Sequence, residues 1–139
     1  MDKVQILKFI SEQKTAFIGS VSEEGYPVIR AMLAPRKIEG NEIYFSTNTS
    51  SNKVKQFTEN EKACIYFYKR GKFKYQGVCI TGEMHICTDD ETKKAIWKIG
   101  DSLFYKRGVT DPDYCVLKFV CKSAEYYCDF KIEKTDFQN

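Results

Sequence analysis

The sequence is poorest in the residues that hold metals or cross membranes. It has a single histidine, His85, and none of its six cysteines (Cys64, Cys79, Cys87, Cys115, Cys121, Cys128) forms a CxxC pair. A zinc site therefore lacks its usual ligand spacing. No apolar run approaches the ~20 residues a membrane helix needs. Basic residues never occur in blocks longer than a pair, and 22 Lys and Arg against 19 Asp and Glu leave a net charge of only +3. So weak a field argues against nucleic acid, and no membrane partner is expected either. Repeats, low-complexity stretches and interdomain linkers are also missing. With 139 residues and 42% hydrophobic content, the expectation is one domain, 1–139, around one core. The start MDKVQILKF reads as an amphipathic helix rather than an export signal, and cysteines set in apolar runs fit small core-filling thiols of a reducing compartment. The expected location is cytoplasmic.

What is present is a strong strand pattern. Val4, Leu7 and Ile10, widened by Ile6, predict a helix over 2–14. TAFIGSV and YPVIRAML read as a hairpin turned by SEEG, and EIYFST as a further strand. NTSSNKVKQFTEN, with its hydroxyl-rich start and Val54/Phe57 pair, predicts a short helix. KACIYFYK turns through KRGK into the long strand FKYQGVCITGEMHIC, where Gly77 and Gly82 mark bends or bulges. Thr88 and Glu91 form a capping box opening a helix to about Ile99, stopped by Gly100. YCVLKFVC, with Cys115 and Cys121 on one face, and SAEYYCDFKIE complete the strands. About six to seven strands joined by tight turns predict an α+β fold, a mostly antiparallel sheet closing into a barrel with flanking helices.

Two features carry chemistry. In YPVIRAML, Val28, Arg30 and Met32 share a face, so Arg30 emerges from apolar surroundings. Either it reaches solvent or a surface carboxylate, or its guanidinium fork meets a phosphate or carboxylate ligand. The second feature is STNTSSNK, with hydroxyls at Ser46, Thr47, Thr49, Ser50 and Ser51 and a lysine at Lys53, between a strand end and a helix start. Free N–H groups there favour an anion. A lysine in a first helical turn opposes the macrodipole by ~0.3–1 kcal/mol, an odd choice unless an anion sits at that end. An ordinary N-cap followed by a solvated lysine is the plainer reading. Taken together, Arg30 and this turn describe a phosphate cradle better than either alone, and without GxxxxGK[ST] it is not a P-loop.

Four stretches, TAFIGSVSEEGYPVIRAM, GNEIYFSTNTSSNKVKQFTENEKACIYFY, GVCITGEMHICTDDETKKAIW and VTDPDYCVLKFVCKSAEYY, in this order and spacing, resemble the pyridoxamine 5′-phosphate oxidase-like, FMN-binding split barrels, in particular their general-stress-protein branch. The resemblance implies a split β-barrel that binds FMN. It maps flavin contacts onto Arg30, Ala31, Met32 and Leu33, the strand end along the ring and ribityl chain onto Ser46 and Thr47, and the phosphate turn onto Ser51, Asn52 and Lys53. Gln76 corresponds to a flavin-contacting glutamine of the long strand. Asn52 stands where the oxidases proper carry a further base, and the carboxy-terminal Arg- and His-rich extension that holds their pyridoxal phosphate is missing, so vitamin B6 oxidation is disfavoured.

The resemblance further implies a homodimer with FMN at the interface, where Tyr66, Phe67, Tyr68, Tyr126 and Tyr127 cover flavin and partner. Trp97, Phe104 and Tyr105 read as core or dimer-contact aromatics, with lidding of a flavin ring as the alternative. The expected activity is reduction of a small organic molecule with electrons from NAD(P)H. A flavin-binding redox sensor or reservoir without turnover, a haem-binding barrel and a deazaflavin cofactor are the alternatives, although a lone His85 in a strand reads as a surface or packed residue.

Overall fold

The apolar stripe at the amino terminus forms helix α1 (Lys3–Ser11), which buries Ile6, Phe9 and Ile10. Asp2 opens it. Its carboxylate accepts from the Gln5 N–H at 2.8 Å, and the Gln5 side chain accepts from the Asp2 N–H at 2.9 Å, which satisfies donors that a first turn leaves free. The computed structural model describes residues 1–138. Strands β1 (Thr15–Val21), β2 (Pro27–Leu33), β3 (Lys37–Glu39) and β4 (Glu42–Asn48) follow, then helix α2 (Asn52–Glu59) and strands β5 (Lys62–Arg70) and β6 (Tyr75–Cys87). Helix α3 (Asp90–Ile96) and two 3₁₀ turns lead to β7 (Tyr114–Cys128) and β8 (Lys131–Asp136).

Every pairing is antiparallel, in the order β2-β1-β5-β6-β7-β4-β3, with β8 also on β7. The long β7 divides the barrel. Its first half pairs with β4 (Tyr114↔Asn48 to Val120↔Glu42), and its second half with β8 (Ser123↔Asp136 to Cys128↔Lys131). On its other edge β6 pairs along both halves, with a register shift at Thr81/Gly82. That shift needs glycine, because a Cβ at Gly82 would lie 2.1 Å from the Val120 carbonyl oxygen. Inward residues of successive strands, among them Ile18, Ile65, Phe67, Ile80, Leu117 and Phe119, close over α1 as one core. Each such side chain contributes roughly 1.5–3 kcal/mol of burial. A smaller cluster of Ile96, Tyr114 and Val116 lies where α3 and the 3₁₀ segment cover the β4–β7 face.

The split-barrel, α+β expectation holds, with differences at element ends. The described residues form eight strands rather than six or seven, the addition being the three-residue β3. YCVLKFVC and SAEYYC form one continuous strand, since Lys122–Ser123 has neither glycine nor proline and the chain keeps pairing with β6. The reversal comes instead at Asp129–Phe130, both left-handed at φ 53° and 62°. Neither residue is a glycine, which hid the hairpin from the sequence. Helix α3 starts later and ends earlier than expected. Asp89 rather than Thr88 caps it, accepting from the Thr92 N–H at 2.9 Å. Beyond Ile96, Asp101 draws the chain into a 3₁₀ turn by accepting from the Lys98 N–H at 2.9 Å.

Candidate functional site

Alternation on β2 turns Val28, Arg30 and Met32 inward and leaves Ile29, Ala31 and Leu33 exposed. The Arg30 guanidinium is half-buried and held by neutral groups. Nη1 donates to Ser20 Oγ at 2.8 Å and the Ile18 carbonyl at 3.3 Å, and Nη2 donates to Gln56 Oε1 at 2.9 Å. The Ser20 hydroxyl in turn donates to Gln56 Oε1. This network occupies three of the five N–H donors, leaving the Nε–H edge of the fork for a further acceptor. No carboxylate pairs with Arg30 among the described residues, and burial lowers its pKa.

Lys53 enters from the first turn of α2. It is half-buried and makes no hydrogen bond or ion pair among the described residues. Its pKa is lowered by burial first and by the Arg30 charge second, while Cys115 acts in the opposite sense. Two cations thus face the same region with no anion between them among the described residues. Ser51, the N-cap of α2, makes no side-chain cap, and its hydroxyl oxygen is enclosed without a partner. Buried polar atoms in native proteins are nearly always satisfied, so such an orphan calls for an absent partner. Two cations, a hydroxyl and a helix start make a donor set for phosphate.

A pocket of about 220 Å³ lies further along, lined by Met32, Leu33, Ser46, Thr47, Arg36 and Tyr105 among others. Thr47 pairs across the ladder with Cys115, whose thiol feels the Lys53 charge, so pocket and cation pair are neighbours. Ser46 Oγ is the second enclosed oxygen that lacks a hydrogen bond of ordinary geometry, although it interacts with the Tyr114 phenol. The Tyr114 hydroxyl donates to the Lys93 carbonyl at 3.1 Å. Arg36 is paired, bidentate, with Asp101 at 2.8 and 2.9 Å. Burial pushes the Tyr105 phenol up to about 12, so it remains a neutral donor beside the pocket at ordinary pH.

Of the residues singled out in the sequence, Arg30, Ser51 and Lys53 make up the donor set, and Met32, Leu33, Ser46 and Thr47 line the pocket. Asn52 is exposed, as is Ala31 on the outer face. Gln76 lies elsewhere: its Nε2 donates to the Tyr126 hydroxyl at 2.7 Å, and it lines a cleft against α1 with Phe9 and Lys69. Phe67 is in the core and Phe104 exposed. Trp97 packs on Tyr105 and Tyr114. The imidazole of His85 sits between Glu61 and Glu83 in another groove. Sequence reasoning missed Ser20 and Gln56, although Gln56 stands one helical turn after Lys53, on the same side of α2.

A family model, pyridoxamine 5′-phosphate oxidase like, matches residues 2–135. The chain belongs to the pyridoxamine 5′-phosphate oxidase-like family. A solved protein related to general stress protein 26, from Clostridium acetobutylicum, is 30% identical with a TM-score of 0.81, the alignment covering 96% of this chain and 92% of that one. Two more distant structures share the fold alone. One is a pyridoxamine 5′-phosphate oxidase-related, FMN-binding protein from Nostoc punctiforme (15% identity, TM-score 0.66, covering 88% of this chain and 76% of that one). The other is a heme-binding protein from Mycobacterium smegmatis (11% identity, TM-score 0.73, 92% and 55%). No curated protein sequence matches the chain.

Proposed function

We propose that this oxidase-like chain binds FMN and uses it to reduce a small organic molecule with electrons from NAD(P)H. One observation carries the reading: Arg30 and Lys53, both half-buried, lack an anionic partner among the described residues beside the orphaned Ser51 hydroxyl. A terminal phosphate supplies what all three lack. Arg30 offers its free Nε–H edge, fixed in direction by Ser20 and Gln56, Lys53 a mobile point charge, and Ser51 a hydroxyl. Ser46, Thr47, Met32 and Leu33 extend from that end as a partly polar, partly apolar wall for the ring system. FMN, when bound, supplies the hydride and electron transfer, and the chain supplies binding and orientation.

The pocket within one chain, about 220 Å³, is smaller than the ~300–1,000 Å³ of ordinary ligand sites. Beside it the outward face of β2 exposes Ile29 and Leu33. Both features support a homodimer in which a second copy completes the cofactor site. A non-catalytic flavin reservoir would use the same grip, and NAD(P)H consumption by the FMN-loaded protein with quinone or nitroaromatic acceptors separates it from an enzyme.

The first test is the visible spectrum and thermal midpoint with and without FMN. The proposal expects a perturbed flavin spectrum and a rise of the midpoint with FMN concentration. An unchanged spectrum and an unmoved midpoint would remove it.

A further inference from the structure

The two neighbouring hairpin tips, far along the strands, expose what a folded protein normally hides. The β5–β6 tip carries Phe73, 89% exposed, and the β7–β8 tip carries Phe130, 95% exposed, with Ile132 beside it at 62%. The tips are adjacent because Gln76 pairs with Cys128 at the ends of β6 and β7, and Lys74 bridges to Asp129 at 2.8 Å. Phe130 is also held at φ 62°, a conformation a bulky side chain adopts only at a cost. A ring that is exposed and strained at once has no role in the core.

The charge around these rings is mainly basic, with Asp129 bridged by Lys74 and Glu133 by the amino terminus. Lys69, Arg70, Lys72 and Lys131 are exposed and make no ion pair among the described residues. Tyr68, Arg70, Lys72, Lys74 and Tyr75 line a pocket of about 260 Å³ on the same tip. The chain's modest net charge of +3 therefore conceals a local basic end, which is why the composition pointed away from a membrane partner.

From this we infer that the paired tips dock on an anionic lipid surface, with Phe73 and Phe130 entering the interface, the free bases meeting headgroup phosphates and the Arg70 pocket taking one of them. A lipid fits better than single-stranded nucleic acid, whose bases need open aromatic faces. Here Tyr75 is already stacked on Tyr127 at 4.9 Å, and the Lys72 ammonium lies 5.5 Å from the Phe73 ring centroid, so the tips present no row of free aromatic faces. What remains outward is an apolar ring within a basic collar, the pattern of a peripheral membrane anchor.

Co-sedimentation of the full chain with phosphatidylcholine vesicles, with and without phosphatidylserine, tests this. Binding is expected to the anionic vesicles only and to be lost at high salt. Phe73→Ala/Phe130→Ala should lower the partition coefficient by about tenfold or more, and Lys72→Ala/Lys131→Ala by roughly thirtyfold, with the thermal midpoint unchanged because all four side chains are exposed. Equal partition onto neutral and anionic vesicles, or full binding by both variants, overturns the inference. So does a shift of a single-stranded oligonucleotide without vesicle binding, or loss of self-association in the phenylalanine variant, which would assign the tips to nucleic acid or to a second copy.

Discussion

Arg30 and Arg36 lie six residues apart in the same stretch of chain, and both are partly buried, yet their surroundings are opposite. Arg36 is met by a matched carboxylate. Its guanidinium and the Asp101 carboxylate form two hydrogen bonds at 2.8 and 2.9 Å, with side chains 15% and 8% exposed. The pair raises the pKa of Arg36 and lowers that of Asp101. Arg30 has only hydroxyl, amide and carbonyl oxygens, shares its surroundings with a second unpaired cation, and its pKa falls. A charge with its counter-ion built in serves the fold. A charge held in place without one is what the proposed phosphate site requires.

Breaking the matched pair should have the largest effect. Asp101→Ala is expected to cost about 3–5 kcal/mol in denaturant unfolding, because it strands the Arg36 charge and frees the Lys98 N–H. The ratio of FMN to riboflavin affinity should not change. The pH dependence follows from the same pair: Arg36 holds the Asp101 carboxyl below its usual range against the opposing effect of burial. A carboxyl whose folded pKa is depressed contributes stability in full above its unfolded value, ~3.9, and loses it as pH falls through the folded value. Unfolding followed from pH 7 downward should therefore show a drop that begins near pH ~4 and is shallower in Arg36→Ala.

Next in size is the unmatched site. Arg30→Ala should weaken FMN by about 1.5–3 kcal/mol beyond any loss for riboflavin, the worth of a charge-assisted hydrogen bond, as read by titration calorimetry. Gln56→Glu sharpens the contrast by giving Arg30 a carboxylate like that of Arg36. It should keep or raise stability while depressing FMN affinity more than riboflavin affinity. The smallest expected effect is a gain: Lys53→Met removes a half-buried, unpaired charge and should stabilise the ligand-free protein by about 0.5–2 kcal/mol while lowering FMN affinity. A stability loss in Lys53→Met would mean that the ammonium has a partner within the fold.

Much of this was legible in the sequence, for particular reasons. Period-two alternation placed Arg30 inward with Val28 and Met32, and the misplaced charge of Lys53 at a helix start marked the proposed anion site, because both signals are local. The network behind Arg30 was not legible. Ser20 and Gln56 reach it from β1 and α2, and a serine in a strand or a glutamine in a helix carries no mark of its partner. The β7–β8 hairpin was hidden for a related reason: Asp129 and Phe130 adopt left-handed backbone without glycine, which only the flanking pairing imposes. Gln76 was placed by analogy alone, and within one chain it serves Tyr126.

The measurement closest to the central claim is the ratio of FMN to riboflavin dissociation constants in the wild-type protein and in Arg30→Ala/Lys53→Met, since the two ligands differ only by the phosphate. The wild type is expected to favour FMN by more than about tenfold, and the double variant to bind both alike. Equal affinities in the wild type, or a preference for FMN that survives in the double variant, would contradict the account.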